Sequence, residues 1–298
     1  MKLPDYTQKR LKRKYAIKEE HGMRLITYVP EIEGASQTDV QLTLYLQEPT
    51  KALAIQERPL ILVCPGGAYA FTSDREAEPI ALAFLAMGYH AAVLRYSVAP
   101  VRYPVALQEL AKSMAYIRTN AAEWHIRPDR IFVLGCSAGG HLVANLGVQW
   151  NDADVMAPAG IDRDHLEIVR PDGLILCYPV ITSGRFAHAG SFENLLGERR
   201  ESMADMLSLE KRVTPSVPPV FLWHTFTDQS VPVENSLLMA AALRRAGVST
   251  ELHVYAHGVH GLALANALTE NAEHGESEES CSTWVELVHT WLWDQCGF

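Results

Sequence analysis

The chain has 298 residues, 48% of them apolar and 20% charged, and a net charge of −9. This is ordinary globular composition with ample material for a large core, and it excludes bulk disorder. The acidic balance argues against nucleic acid as the main partner, and no apolar window is long enough to span a membrane.

The N-terminus is basic, with the run Lys9-Arg10-Leu11-Lys12-Arg13-Lys14. It reads as a solvated segment, the alternative being a patch for an anionic surface. No apolar region of the signal-peptide type follows it before residue 40. The stretches "MRLITYVPE" and "VQLTLYLQEP" read as two strands. In the second, Val40, Leu42, Leu44 and Leu46 share one face at period two, as expected for a half-polar antiparallel pair. Residues 1–50 thus form an N-terminal segment with antiparallel strands.

The texture then changes. "PLILVCPGG" (59–67) is the continuous apolar run of a strand buried on both faces. A helix stopped by Gly88 follows, then a strand over 89–96 and a long helix over 104–124 with Pro104 near its first turn. "DRIFVLGCSAGGHLVANLGV" reads as strand, tight turn, helix. Strands are expected at 172–179, 218–225 and 249–256, and helices at 233–247 and 280–296. Alternating strands and helices predict an α/β fold, a mostly parallel central sheet with helices on both faces, in one domain over 1–298. Residues 183–216 break the rhythm and read as an insertion, a small helical cap or, alternatively, a disordered loop. Trp284, Trp291 and Trp293 are expected in the core or on a dimer face.

Ligands of open α/β sheets bind beyond the carboxyl ends of the strands, so the residues after each strand are the candidates. After "FVLG" comes Cys136-Ser137-Ala138-Gly139. A nucleophile elbow needs strand, strained serine and helix, with glycine at 135 and 139 to remove clashes across the turn. After "LILVC" comes Pro65-Gly66-Gly67-Ala68. The backbone N–H groups of Gly67 and Ala68, with that of Ala138, are the candidate oxyanion hole. Asp228 follows the strand "PVFLWHT", where it can orient a histidine or cap the next helix. His260 follows "ELHVYA" between glycines. The order Ser137, Asp228, His260 is that of α/β-hydrolase triads.

Other readings stand beside this one. His253, His257 and His260 are a candidate metal set, though without the tight pairing usual for zinc. His141 reads as a surface or sheet-packing residue. Cys136 points away from the turn's mouth if Ser137 points into it. The five cysteines, 64, 136, 177, 281 and 296, have no metal-type spacing and read as reduced cytoplasmic thiols, with a Cys281–Cys296 bridge left open.

The segments "CPGGAYAFTSDREAEPIALAFLAMGYHAAVLRYSVAP", "RPDRIFVLGCSAGGHLVANLG", "HTFTDQSVPVENSLLMAAAL" and "HGVHGLALA" resemble the α/β-hydrolase group of bacterial acetylesterases and xylan-esterase-like enzymes. More distantly they resemble carboxylesterases of the hormone-sensitive-lipase type. The resemblance runs from about residue 24 to the C-terminus and covers 183–216 least. It implies an α/β-hydrolase fold, Ser137 as nucleophile with His260 and Asp228, and short acyl groups, acetyl above all, on small-molecule esters such as those of sugar hydroxyls. It implies no metal and no organic cofactor. One departure is Pro65-Gly66-Gly67-Ala68 where the related carboxylesterases carry His-Gly-Gly-Gly, which adds a methyl in a crowded place. A prolyl-oligopeptidase-type peptidase and a non-catalytic binding protein on the same fold are the alternatives, and a homo-oligomer is left open.

Overall fold

A computed structural model describes residues 17–20, 22–272, 275 and 277–296. The basic run 9–14 lies outside the described residues. Among the described residues nine strands make one sheet: β1 (Ile17–Glu20), β2 (Met23–Tyr28), β3 (Gln41–Gln47), β4 (Arg58–Cys64), β5 (His90–Arg95), β6 (Ile126–Cys136), β7 (Gly173–Cys177), β8 (Val220–Thr225) and β9 (Thr250–Tyr255). Across the sheet the order is β1-β2-β3-β5-β4-β6-β7-β8-β9. The first three strands run antiparallel, and β5 through β9 are mutually parallel. The expected α/β architecture is therefore present, with β1 as an N-terminal strand that the sequence reading did not pick out.

The central strands are buried at every position of β4, β7 and β8 because both faces are covered. Alternate residues of one strand feed opposite layers. Leu60 and Leu62 of β4 join one apolar cluster, and Ile61 and Val63 join the other. The first layer holds α2 (Val105–Asn120) and α3 (Ala138–Gln149) through residues such as Leu107, Leu110 and Leu142. The second holds α1 (Glu78–Ala86) and α6 (Trp284–Cys296) through Phe84, Trp284 and Trp291. The chain leaves β4 for β5 on one side and returns to β6 on the other. This reversal opens a crevice beyond the carboxyl ends of β4 and β6, where the loops carrying Gly66 and Ser137 emerge.

Several boundaries differ from the sequence reading. The helix expected over 104–124 ends at Asn120, and Pro104 precedes its first turn. The C-terminal signal divides into a 3-10 segment, Glu279–Thr283, and α6. Trp284 and Trp291 are core residues, whereas Trp293 is 52% exposed. Cys281 is a free, buried thiol, and the Cys296 side chain lies outside what the structure describes. Residues 183–216 are a packed run of short helices, among them α4 (Ala189–Leu196), with Phe192, Leu196, Leu207 and Leu209 in the first apolar layer. The disordered-loop alternative does not hold here. The α5 helix (Glu234–Ala246) closes on Gly247, whose φ of 75° is the left-handed conformation expected of a glycine cap. No helix among the described residues is long and apolar enough to cross a membrane.

One polar side chain in the β5 layer makes the fold sensitive to acid. His90 is fully buried; its Nδ1 accepts the Gln47 N–H at 3.2 Å, and its Nε2–H donates to the His125 carbonyl at 3.1 Å. Protonation would set an Nδ1–H against the Gln47 N–H. Burial lowers its pKa from 6.5 to about 4. The unfolded state then takes up the proton first as pH falls, so stability is complete above about 6.5 and drains away toward about 4. Urea unfolding should show the stability advantage of the parent over His90→Gln shrinking across that window. A constant difference would refute the assignment.

Candidate active site

Ser137 joins β6 to α3 with φ 52° and ψ −117°, outside the regions an L-residue prefers. Its turn is fastened on three sides. The Ser137 N–H donates to the Cys177 carbonyl at 3.0 Å, and its own carbonyl accepts the N–H groups of Val180 and His141 at 3.0 and 3.1 Å. Glycine is required around it by contact with backbone. A Cβ on Gly135 would sit 2.3 Å from the Gly139 carbonyl oxygen, the clash across the turn that the sequence suggested. The reason at Gly139 is different: a Cβ there would lie 2.1 Å from the carbonyl oxygen of Cys64 at the end of β4. Thus Gly135 closes the turn, and Gly139 lets α3 touch the neighbouring strand.

The loops after β8 and β9 meet this serine. His260 Nε2 lies 2.8 Å from Ser137 Oγ, and His260 Nδ1 lies 2.6 Å from Asp228 Oδ2. An ionised carboxylate only accepts, so Nδ1 carries the proton and Nε2 is left to accept the serine O–H. Asp228 Oδ1 accepts the N–H groups of Ser230 and Val231, both at 2.9 Å. It is not the cap of α5, which starts at Glu234 with no side-chain cap. A second histidine, His224, stands 3.3 Å from Asp228 Oδ2, and both side chains are wholly buried. Burial acts to raise the Asp228 pKa, but the hydrogen bonds from His224, His260 and Val231 hold its carboxyl well below the usual carboxylate range.

The loop after β4 turns its amides by fixing its carbonyls. The Gly66 carbonyl accepts the Ser73 N–H at 2.9 Å, and the Gly67 carbonyl accepts Ala70 N–H at 2.8 Å and Phe71 N–H at 3.2 Å. In a trans peptide the N–H points opposite to the carbonyl. The N–H groups of Gly67 and Ala68 therefore face away from residues 70–73. Left-handed φ values of 127°, 54° and 57° at Gly67, Ala68 and Tyr69 make this reversal. A Cβ on Gly66 would be 2.9 Å from Ser137 Cβ, so the loop lies directly against the elbow. Ala138, the first residue of α3, has an N–H with no intrahelical acceptor.

The structure gives partners to residues around the serine that the motifs did not assign to the site. His141 is buried rather than superficial: its Nε2–H donates to the Leu207 carbonyl at 3.0 Å, leaving Nδ1 to accept the Tyr69 hydroxyl at 2.9 Å. Burial lowers its pKa to about 4, which keeps it neutral. Asn194 of α4 donates to the Ala68 carbonyl at 2.9 Å, so the 183–216 helices rest on the β4 loop. His188 begins α4, and burial with the nearby His260 lowers its pKa. Glu76, in the charged stretch "SDREAE", is buried against Gly66. A histidine inside the apolar strand "PVFLWHT" was the available signal for His224. His253 pairs with Glu251 at 2.6 Å and stacks on Phe221, while His260 is engaged with Ser137 and Asp228. Cys136 is buried on the sheet, where burial and contact with Cys177 push its thiol well above its ordinary pKa.

The chain is similar to known proteins over most of its length. The family model BD-FAE matches residues 42–243. Endo-1,4-beta-xylanase B of Butyrivibrio fibrisolvens is 38% identical over 70% of this chain and 33% of its own length. Acetylxylan esterase of Xylanibacter ruminicola is 26% identical over 85% of this chain and 52% of its own. The chain thus spans a third to a half of the length of these two curated relatives. The crystal structure of an acetyl ester-xyloside bifunctional hydrolase from Caldicellulosiruptor lactoaceticus is 37% identical, with a TM-score of 0.72 over 87% of this chain and 89% of that one. With a nine-stranded sheet, an elbow at Ser137 and a family match over more than half its residues, the chain belongs to BD-FAE, a family of the α/β hydrolases.

Proposed function

We propose that the protein is a serine carboxylic ester hydrolase that removes short acyl groups, acetyl above all, from an alcohol such as a sugar hydroxyl. The observation that carries this reading is the unbroken hydrogen-bond line from Ser137 Oγ through His260 to Asp228, at 2.8 and 2.6 Å. The acyl and alcohol preference is supported by the names of the relatives, which include an acetylxylan esterase and an acetyl ester-xyloside hydrolase.

In this reading His260 Nε2 takes the Ser137 proton as Oγ attacks the ester carbonyl. Asp228 holds Nδ1–H and stabilises the imidazolium that forms. The N–H groups of Gly67, Ala68 and Ala138 receive the oxyanion, and a lost donor of this kind typically costs about 10² to 10³ in rate. The tetrahedral species collapses as the C–O bond to the alcohol breaks, and His260 returns its proton to the departing oxygen. Water then attacks the acyl-enzyme with His260 as base, and Ser137 is restored with release of the acid. The hydrogen bond from Asn194 to the Ala68 carbonyl supports a role for the helices of 183–216 as a cap on the β4 loop. The enzyme needs no metal or organic cofactor for these steps, and its free thiols suit a reducing compartment such as the cytoplasm.

Ser137→Ala should abolish hydrolysis of p-nitrophenyl acetate and labelling by a fluorophosphonate probe, and full activity in that variant would sink the nucleophile assignment. Failure of the parent to take up the probe would favour a non-catalytic binding protein, and a preference for dipeptide amides over esters would favour a peptidase. Asp228→Asn should lower kcat by about 10³ to 10⁴, because the amide favours the wrong imidazole tautomer. Cys136→Ala should keep activity within about threefold, since a buried, protonated thiol is inert. Inactivation of the parent by thiol reagents that spares Cys136→Ala would contradict this.

A further inference from the structure

A buried carboxylate outside the triad joins two loops that the reaction needs. Glu76 closes a short 3-10 turn, Asp74–Glu76, and is 4% exposed. Its Oε2 accepts the Gly66 N–H at 2.8 Å, and its Oε1 accepts the Tyr178 hydroxyl at 2.7 Å. With its O–H donated to Glu76 in that hydrogen bond, the Tyr178 oxygen uses a lone pair to accept the Ala263 N–H at 3.0 Å. Burial pushes the Tyr178 phenol well above its ordinary pKa, so that proton is retained. The line Gly66–Glu76–Tyr178–Ala263 thus runs from the loop after β4 to the loop that carries His260.

Two of its members, Tyr178 and Ala263, sit where the backbone is unusual. Tyr178 has φ 37° and Ala263 φ 53°, conformations that persist only when the surroundings hold them. The Tyr178 ring meets the His260 ring edge-on, with centroids 5.2 Å apart. Gly66 lies against Ser137, and a Cβ there would be 2.6 Å from Glu76 Oε2. The carboxylate has no ion-pair partner among the described residues. Two hydrogen bonds satisfy it: one ends on the loop after β4, and the other on Tyr178, which in turn holds the His260 loop through the Ala263 N–H.

We propose that Glu76 is a positioning residue that locks the oxyanion loop to the His260 loop, acting on one side through the Gly66 amide and on the other through Tyr178. The inference rests on the roles given above to Ser137, His260 and the Gly67 and Ala68 amides. Glu76 touches no reacting atom. It fixes the plane of the Pro65–Gly66 peptide, and so the aim of the next amides, while Tyr178 sets the height of the imidazole. An error of about 1 Å in such an alignment costs roughly 10²-fold in rate, and it falls on the transition state rather than on ground-state binding.

The test is steady-state hydrolysis of p-nitrophenyl acetate by Glu76→Ala, Glu76→Gln, Tyr178→Phe and Ser137→Ala, with the thermal transition of each checking that it folds. Glu76→Ala should lose about 10² in kcat with KM within about threefold. Glu76→Gln should recover most of that loss, because its amide oxygen can still accept the Gly66 N–H. Tyr178→Phe should lower kcat by about tenfold, and adding it to Glu76→Ala should cost little more, as expected of one coupled network. Undiminished kcat in folded Glu76→Ala, or a loss expressed only in KM, overturns the inference. If Glu76→Ala does not fold, Tyr178→Phe decides: lowered kcat at unchanged KM supports the lock, and parental kcat overturns it. Full activity in Ser137→Ala would overturn the nucleophile assignment, and this inference with it. An inactive Ser137→Ala beside a fully active Glu76→Ala overturns this inference alone.

Discussion

The contact on which the rest depends is the one between the first turn of α3 and the end of β4. At Gly139 there is no room for a methyl group, since a Cβ would lie 2.1 Å from the Cys64 carbonyl oxygen. Backbone meets backbone, and the helix after the elbow is pressed against the neighbouring strand. Because β4 pairs directly with β6, the loop leaving β4 must then pass beside the loop leaving β6. Ser137 and the Gly67 and Ala68 amides become neighbours through sheet topology and one close approach. A larger residue at 139 would push α3 off β4 and part the two loops.

Electrostatics divides the buried titratable groups near the crevice into two kinds. Asp228 remains ionised because three donors converge on it, two backbone N–H groups and His260, with the His224 ring 3.3 Å away. His141 and Cys136 are held neutral instead, because each is buried without an opposite charge to favour its ionised form. Only groups with matched partners keep their charge there. The residue whose name suggests the greatest reactivity, Cys136, is the one the sheet silences.

How far the sequence could be read follows from what each feature depends on. Strands buried on both faces advertise themselves as unbroken apolar runs, so β4 and β6 to β8 were legible. Strained turns demand glycine, so the loops at 66–67 and 135–139 were legible too, together with the order of Ser137, Asp228 and His260. The network around them was not. Glu76 sits among charged residues that look like a solvated helix start, and only the tertiary fold turns it inward to Gly66. Tyr178 follows a strand and looked like its last apolar residue. His141 carried no sign of its two partners, because Tyr69 and Leu207 lie far from it in the chain. The clash assigned across the elbow was right in kind for Gly135 and incomplete for Gly139, because the second obstacle belongs to another strand.

The polar links share one logic. A loop that must hold left-handed residues cannot rely on a regular ladder to satisfy its backbone, so its amides and carbonyls turn to side chains. Asn194 takes the Ala68 carbonyl, Glu76 takes the Gly66 amide, and Tyr178 takes the Ala263 amide. Each donor or acceptor comes from a different part of the chain: the 183–216 helices, the turn before α1, and the end of β7. Each of these three elements thereby fixes a loop carried by another. A shift in any one border would leave a buried polar group unpaired, at a cost of about 1–3 kcal/mol. The site's rigidity therefore comes from satisfied backbone groups as much as from packing. This is why its supporting residues are polar side chains far apart in sequence, Asn194, Glu76 and Tyr178, rather than neighbours of the serine.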